Sequence, residues 1–347
     1  MKKLALIIMV LVILTACTPA TTPTPTQADS TTLAKPAAPT LLTDELGTAA
    51  ELVPSDAEIA DAKDALGTGM IGIISCTMGS EYHATLVNSA QDYAQELGIK
   101  TTVIDSQVQA DQQISAIENL VSAGAKAIVI CVLDPAVVKP ALEAAVEAGV
   151  YIVQTSGRES AYNGIGISIE DADLGCANGE LAGEAINTFL DGKGVVAILD
   201  YPDLPNIVTR ADNIEKCLLQ TAPNATIIGR FLGGTTENAQ TSVENALQAY
   251  PDIDVIASVS DLGAYGALTA LQAANKDPEK TFVIGIDAEE YALDLIKAGG
   301  MYYGTVDTNP SETGVMAIDA AIKLLAHATV EKNIKVEVLK VTESTMK

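Results

Sequence analysis

From Met70 onward the apolar residues alternate between two periods. Short runs rich in Val and Ile read as strands buried on both faces, over Met70–Cys76, Thr101–Asp105, Ala127–Leu133, Val150–Thr155 and Ile165–Ile169. Between them the spacing shifts to that of helices. Ala84–Leu97 sets Leu86, Ala90, Tyr93 and Leu97 on one stripe, Asp111–Ala123 follows, and Pro135 opens a third helix. Gly98, Gly124 and Gly149 stand where helices end. The rhythm restarts after about Asp171. Helices are expected at Leu174–Leu190, Ile207–Gln220, Glu237–Tyr250, Leu262–Ala274 and Glu289–Ala298. Strands alternate with them at Val195–Asp200, Thr226–Phe231, Val255–Ser258, Thr281–Ile286 and Tyr302–Asp307. A helix over Ser311–His327 and a strand over Ile334–Val341 finish the chain.

Strand-helix-strand units require right-handed crossovers and parallel sheets. The strands are too many for one open sheet, so the expectation is α/β with two doubly wound, Rossmann-like lobes. The absence of Trp and the presence of only three Phe suit Ala-rich helices wrapped on Val/Ile strands.

The pattern is different before Met70. Lys2 and Lys3 precede an apolar run, Leu4–Leu14, too short to cross a bilayer, which takes roughly 20 residues. Leu14-Thr15-Ala16-Cys17 then resembles the bacterial lipobox. Residues 1–16 are therefore expected to be a cleaved signal peptide, with Cys17 lipidated and the mature chain anchored outside the cytoplasm. Thr, Pro, Ala and Gln dominate the residues after Cys17, so 17–54 is expected to be a flexible tether. Ser55-Asp56-Ala57-Glu58 has the form of a capping box, and a short helix is expected over 55–67. The net charge of −25, nearer −27 without Lys2 and Lys3, argues against nucleic acid and against lying flat on anionic lipid.

Four further cysteines, Cys76, Cys131, Cys176 and Cys217, are consistent either with disulfides or with buried thiols. No CxxC spacing supports a metal centre.

In doubly wound sheets ligands bind beyond the carboxyl ends of the strands. Those positions hold Ser80, Tyr82 and His83; Ser156 and Arg158; Arg210 on the next helix; Ser260 and Asp261; Asp287; and Thr308. Hydroxyls, carboxylates and guanidinium groups together suit a neutral polyhydroxylated ligand. Plain structural roles exist for the same residues: His83, Asp261 and Asp287 as helix caps, Arg210 as an ion-pair partner, His327 as a partner of a helix C-terminus. No GxSxG, HExxH or P-loop pattern occurs; Asp261, Asp287 and Asp307 could form a hydrolytic pair, but carboxylates in sugar clefts more often bind than cut. No cofactor is expected.

The stretches Met70–Leu86, Ile207–Leu218, Ala246–Leu271 (ALQAYPDIDVIASVSDLGAYGALTAL), Val283–Asp287 (VIGID) and Gly304–Gly314 resemble the type I periplasmic sugar-binding proteins, the ribose-binding group of ABC-transporter receptors. The resemblance implies two lobes joined by three crossings, near Ile169–Ala172, Asp307–Asn309 and Glu331–Ile334. Lobe 1 would comprise 68–170 plus 309–333, and lobe 2 171–308 plus 334–347. Sugar contacts would fall at Ser80, Tyr82, His83, Ser156 and Arg158 of lobe 1, at Arg210, Ser260, Asp261 and Asp287 of lobe 2, and at Thr308 in a hinge. A monomeric receptor is implied, delivering its ligand to an ABC permease, or alternatively presenting it to a chemoreceptor or histidine kinase. Tyr82-His83 replaces the family's usual pair of aromatics, and the ligand stays open between a pentose, a hexose, a polyol, a nucleoside and a signal molecule.

Overall fold

The computed structural model describes residues 38–43, 45–156, 162 and 164–346. Cys17, the preceding signal, the tether as far as residue 37 and Arg158 lie outside the described residues, as does the side chain of Ser156.

Lobe 1 opens with β1 (Thr40–Leu42), α1 (Ala49–Leu52) and α2 (Asp56–Leu66). The alternation then runs β2 (Met70–Ser75), α3 (Glu81–Glu96), β3 (Thr101–Asp105), α4 (Ala110–Ser122), β4 (Ala125–Cys131), α5 (Pro135–Glu147), β5 (Tyr151–Ser156) and β6 (Ile165–Ser168). Lobe 2 holds α6 (Asp171–Phe189), β7 (Val195–Asp200), α7 (Pro205–Thr221), β8 (Thr226–Leu232) and α8 (Thr236–Ala249). It continues with β9 (Val255–Ser258), α9 (Asp261–Ala273), β10 (Phe282–Ile284), α10 (Glu290–Ala298) and β11 (Tyr302–Asp307). The chain returns to lobe 1 with α11 (Pro310–Leu325), β12 (Thr329–Glu331) and β13 (Asn333–Lys335), and ends in lobe 2 with β14 (Leu339–Thr342).

Two six-stranded sheets result, ordered β13-β6-β5-β4-β2-β3 and β14-β11-β10-β9-β7-β8. The expectation of two doubly wound α/β lobes is borne out. Strand periodicity explains the layering: Ile71 and Ile73 of β2 pack into one core while Met70 and Ile74 pack into the core on the opposite face. Val196 and Ile198 are likewise separated from Ala197 and Leu199 in lobe 2.

The end of the chain departs from expectation. The single strand read over Ile334–Val341 is two strands in different lobes, and the third crossing runs through 337–338 rather than Glu331–Ile334, Val336 still being bonded to Ser168 of β6. Apolar-polar alternation continues unbroken through Ile334-Lys335-Val336-Glu337-Val338, so it carries no sign of the change of sheet. β14 also pairs antiparallel with β11, the exception in otherwise parallel sheets.

The tether ends earlier than expected. β1 pairs with β12, Gly47 bridges to Ile334, and Leu52 is fully buried against lobe 1. The Glu58 side chain reaches back to the Ser55 N–H (2.7 Å) and meets Lys323 Nζ of α11 (2.9 Å), while Ser55 Oγ accepts from Glu58 N–H (3.3 Å). Loss of such a cap costs about 1 kcal/mol. Ser55→Ala should therefore speed hydrogen exchange in Asp56–Leu66 about fivefold, leaving the sheet amides unchanged.

The four cysteines are paired. Cys76–Cys131 joins the ends of neighbouring strands β2 and β4, and Cys176–Cys217 joins α6 to α7.

Candidate functional site: the interlobe cleft

The carboxyl ends of both sheets face a cavity of about 720 Å³ between the lobes. From lobe 1 come Tyr82 and His83 on the first turn of α3, Cys131 ending β4, Thr155 of β5 and Ser168 of β6. Lobe 2 supplies Asp171 at the start of α6, Asn206 and Arg210 on α7, and Asp287 after β10; Ile169 and Thr308 line it at the first two crossings. Leu86, Val87, Val129 and Leu174 give the remainder an apolar lining.

Arg210 owes its position to close helix packing. A Cβ on Gly175 would overlap the Arg210 carbonyl, and one on Gly179 would overlap that of Ile214, so only glycine lets α6 approach α7 this closely. The approach brings the guanidinium against α6. Nε and Nη2 donate to Asp171 Oδ1 (3.2 and 2.9 Å), and Nη1 donates to the Val259 carbonyl (2.7 Å). These described bonds occupy three of the five N–H donors an arginine carries and fix the plane of the group.

Asp287 sits on unusual backbone. Its φ is 128° and that of Ala288 is 55°, both costly for residues with a Cβ. The Asp287 N–H donates to the Val306 carbonyl (2.9 Å) and the Ala288 N–H to Thr305 Oγ1 (3.3 Å), which hold the turn. Burial pushes the Asp287 carboxyl up to about 7; the Asp261 charge adds to this and Arg210 opposes it.

His83 is held by its own helix cap. Ser80 Oγ accepts the His83 backbone N–H (3.3 Å) and lies 2.7 Å from Nδ1, which leaves Nε2 3.5 Å from Cys131 Sγ. Burial lowers the affinity of the ring for a proton. Tyr82 packs edge-on against it, with centroids 5.1 Å apart, and burial raises the phenol to about 12. Thr308 is 6% exposed, and its Oγ1 has no hydrogen-bond partner among the described residues.

The structure thus brings Tyr82, His83, Arg210, Asp287 and Thr308 together. Three other sequence candidates turn away from this cavity. Ser80 caps α3, and Ser260 caps α9 through the Gly263 N–H (3.2 Å). Asp261 is fully buried beneath the floor, where Oδ1 accepts from Tyr302 and Thr305 hydroxyls (both 2.7 Å) and Oδ2 from Glu289 N–H (2.9 Å); burial pushes it up to about 6. Asp171, Asn206, Thr155, Ser168 and Cys131 line the cavity without having stood among the sequence candidates. Asn206 and Asp171 each lie at a helix start facing the cleft, so the rule of inspecting strand-helix junctions would have reached them. At the mouth, Glu290 N–H of lobe 2 donates to Glu81 Oε1 of lobe 1 (3.0 Å), so the lobes touch across the opening.

The family model described as periplasmic binding protein domain matches residues 71–329. The chain belongs to this family of periplasmic binding proteins. The resemblance to type I periplasmic sugar-binding proteins is borne out. Periplasmic binding proteins work outside the cytoplasm and bind without catalysis, so the hydrolase reading falls. Among relatives, the chain is 28% identical over 266 residues to a ribose import binding protein of Bacillus subtilis, covering 76% of this chain and 84% of that one. It is also 28% identical over 236 residues to a D-apiose import binding protein of Actinobacillus succinogenes, covering 67% and 74%. Among solved structures, an ABC transporter periplasmic solute binding protein of Actinobacillus succinogenes with bound D-allose shares the fold. Its TM-score is 0.67 at 24% identity, covering 80% of this chain and 98% of that one.

Proposed function

We propose that this periplasmic binding protein is the solute receptor of an ABC importer and captures a sugar in the interlobe cleft. The observation that carries the reading is the buried Thr308 hydroxyl at a crossing, without a hydrogen-bond partner among the described residues, beside a cavity that also holds Arg210 and Asp287. A buried hydroxyl with no partner is costly, and a ligand hydroxyl is a fitting one. Arg210 donates and cannot accept, whereas Asp287 switches between accepting and donating near neutral pH. Such a set matches vicinal hydroxyls. Relatives named for ribose and apiose import support the ligand class. A volume of about 720 Å³ leaves room for a hexose or a larger polyol.

Contacts from both lobes would favour the closed form over the open one, and closure is what a permease would read. The receptor acts as a monomer held to the membrane through lipidated Cys17. Isothermal calorimetry with D-ribose, D-apiose, D-allose, myo-inositol and a nucleoside tests the ligand class. At least one sugar or polyol should bind with a Kd of about 10 μM or tighter; heat from the nucleoside alone, or from none, would sink the reading. Cys17→Ala should move the receptor to the soluble fraction with its ligand affinity unchanged, and a variant that stays with the membrane would count against the anchor.

A further inference from the structure

We propose that reduction of the Cys76–Cys131 disulfide creates, with His83, a binding site for a thiophilic divalent metal ion in the lobe 1 wall of the cleft. The sugar reading plays no part in this. Cys76 Sγ, Cys131 Sγ and one ring nitrogen of His83 all lie within 4.8 Å of one another. The 3.5 Å between His83 Nε2 and Cys131 Sγ is about the edge of a tetrahedron whose metal–sulfur and metal–nitrogen bonds are about 2.3 and 2.1 Å. Two sulfurs and one imidazole suit Zn²⁺ or its spectroscopic substitute Co²⁺.

Three features make this a built site. The cysteines stand at the ends of adjacent hydrogen-bonded strands, so the sheet keeps them side by side with or without the bridge. The His83 ring is oriented from behind, because Nδ1 contacts Ser80 Oγ at 2.7 Å, the kind of outer-shell partner that metal-bound histidines use. Cys131 and His83 both line the cavity, which leaves the fourth position open to water or to a ligand hydroxyl and gives the metal an entry path.

The disulfide and the metal exclude one another. A dithiol reductant supplies the electrons: its thiolate attacks one sulfur, a mixed disulfide forms, and its second thiol resolves it. Two electrons and two protons thus pass to Cys76 and Cys131, and the reductant leaves as a cyclic disulfide. Each cysteine then releases its proton when the metal binds.

The test titrates the purified chain with Co²⁺ under anaerobic conditions, before and after treatment with a dithiol reductant and desalting. The reduced chain should bind one Co²⁺ with the intense near-ultraviolet band of thiolate-to-cobalt charge transfer, and the untreated chain should give no such band. Outer-shell partners alone tune metal affinity by about 10–100-fold, so His83→Ala, which retains both cysteines, should weaken Co²⁺ at least about 100-fold. Cys131→Ser should abolish the band. A reduced chain that shows no band, or that loses its circular dichroism, overturns the proposal. So does a His83→Ala variant that binds Co²⁺ as tightly as the parent, which would mean that thiols alone, including those of Cys176 and Cys217, account for the metal.

Discussion

Replacing Arg210 with Met is expected to lower ligand affinity at least about 100-fold, the equivalent of about 2.7 kcal/mol, while the chain stays folded. Hydrogen bonds from a charged group contribute about 1.5–3 kcal/mol each, and Met offers none to the ligand. The same change removes the three bonds that tie α7 to Asp171 and to the Val259 carbonyl, so the lobe 2 wall loses its shape as well as its charge. Arg210→Lys should recover less than a tenth of the affinity, because an ammonium cannot hold Asp171 and the Val259 carbonyl in one plane. Calorimetry with the sugar that binds the parent decides it. A Met variant within about threefold of the parent would remove Arg210 from the site.

The second large effect concerns Asp287. Burial raises its carboxyl from 3.8 to about 7, so the folded chain holds this proton more tightly than the unfolded chain does. The resulting stabilisation is complete below about pH 4 and is lost as pH rises through about 7. At about 1.4 kcal/mol per tenfold change in proton affinity the ceiling is about 4 kcal/mol. Roughly half of that is expected, because Asp287 is only partly buried in the cleft and part of its shift comes from the neighbouring Asp261 charge. Asp287→Asn should therefore raise Tm by several degrees at pH 8, change it little at pH 4, and flatten the profile between. It should also weaken sugar binding at pH 8, where the parent offers a carboxylate acceptor. A parent and variant whose Tm curves run parallel from pH 4 to pH 8 would show that this carboxyl does not carry the dependence.

Much of the fold was legible because buried parallel strands and glycine-closed helices leave strong local marks. The cleft was legible only as far as backbone position goes. Asp261 and Asp287 both follow strands, yet one side chain turns under the floor to Tyr302 and Thr305 while the other lines the cavity. That choice is made by backbone torsions such as the φ of 128° at Asp287, which no local pattern encodes. Asp171 stands at a legible junction, but its bond to Arg210 comes from the contact of α6 with α7, a tertiary event set by Gly175 and Gly179. The pairing of Cys76 with Cys131 needed the knowledge that β2 lies beside β4 although β3 separates them in sequence. The segment before Ser55 read as tether because Thr and Pro outweigh its leucines, but Leu52 has a prepared socket in lobe 1.

That docked segment bears on how the molecule bends. Gly47 takes the open edge of β13: its N–H donates to the Asn333 carbonyl (2.8 Å), and its carbonyl accepts from Lys335 N–H (2.9 Å). β6 holds the other edge. The last strand before the third crossing is therefore gripped on both sides, and Val336 stays with lobe 1, its N–H donating to the Ser168 carbonyl (2.9 Å) and its side chain buried in that core, which leaves 337–338 to span the lobes. The same grip hides a strand edge that a neighbouring chain could otherwise pair with, so the stretch that ties the tether to lobe 1 also blunts edge-to-edge self-association.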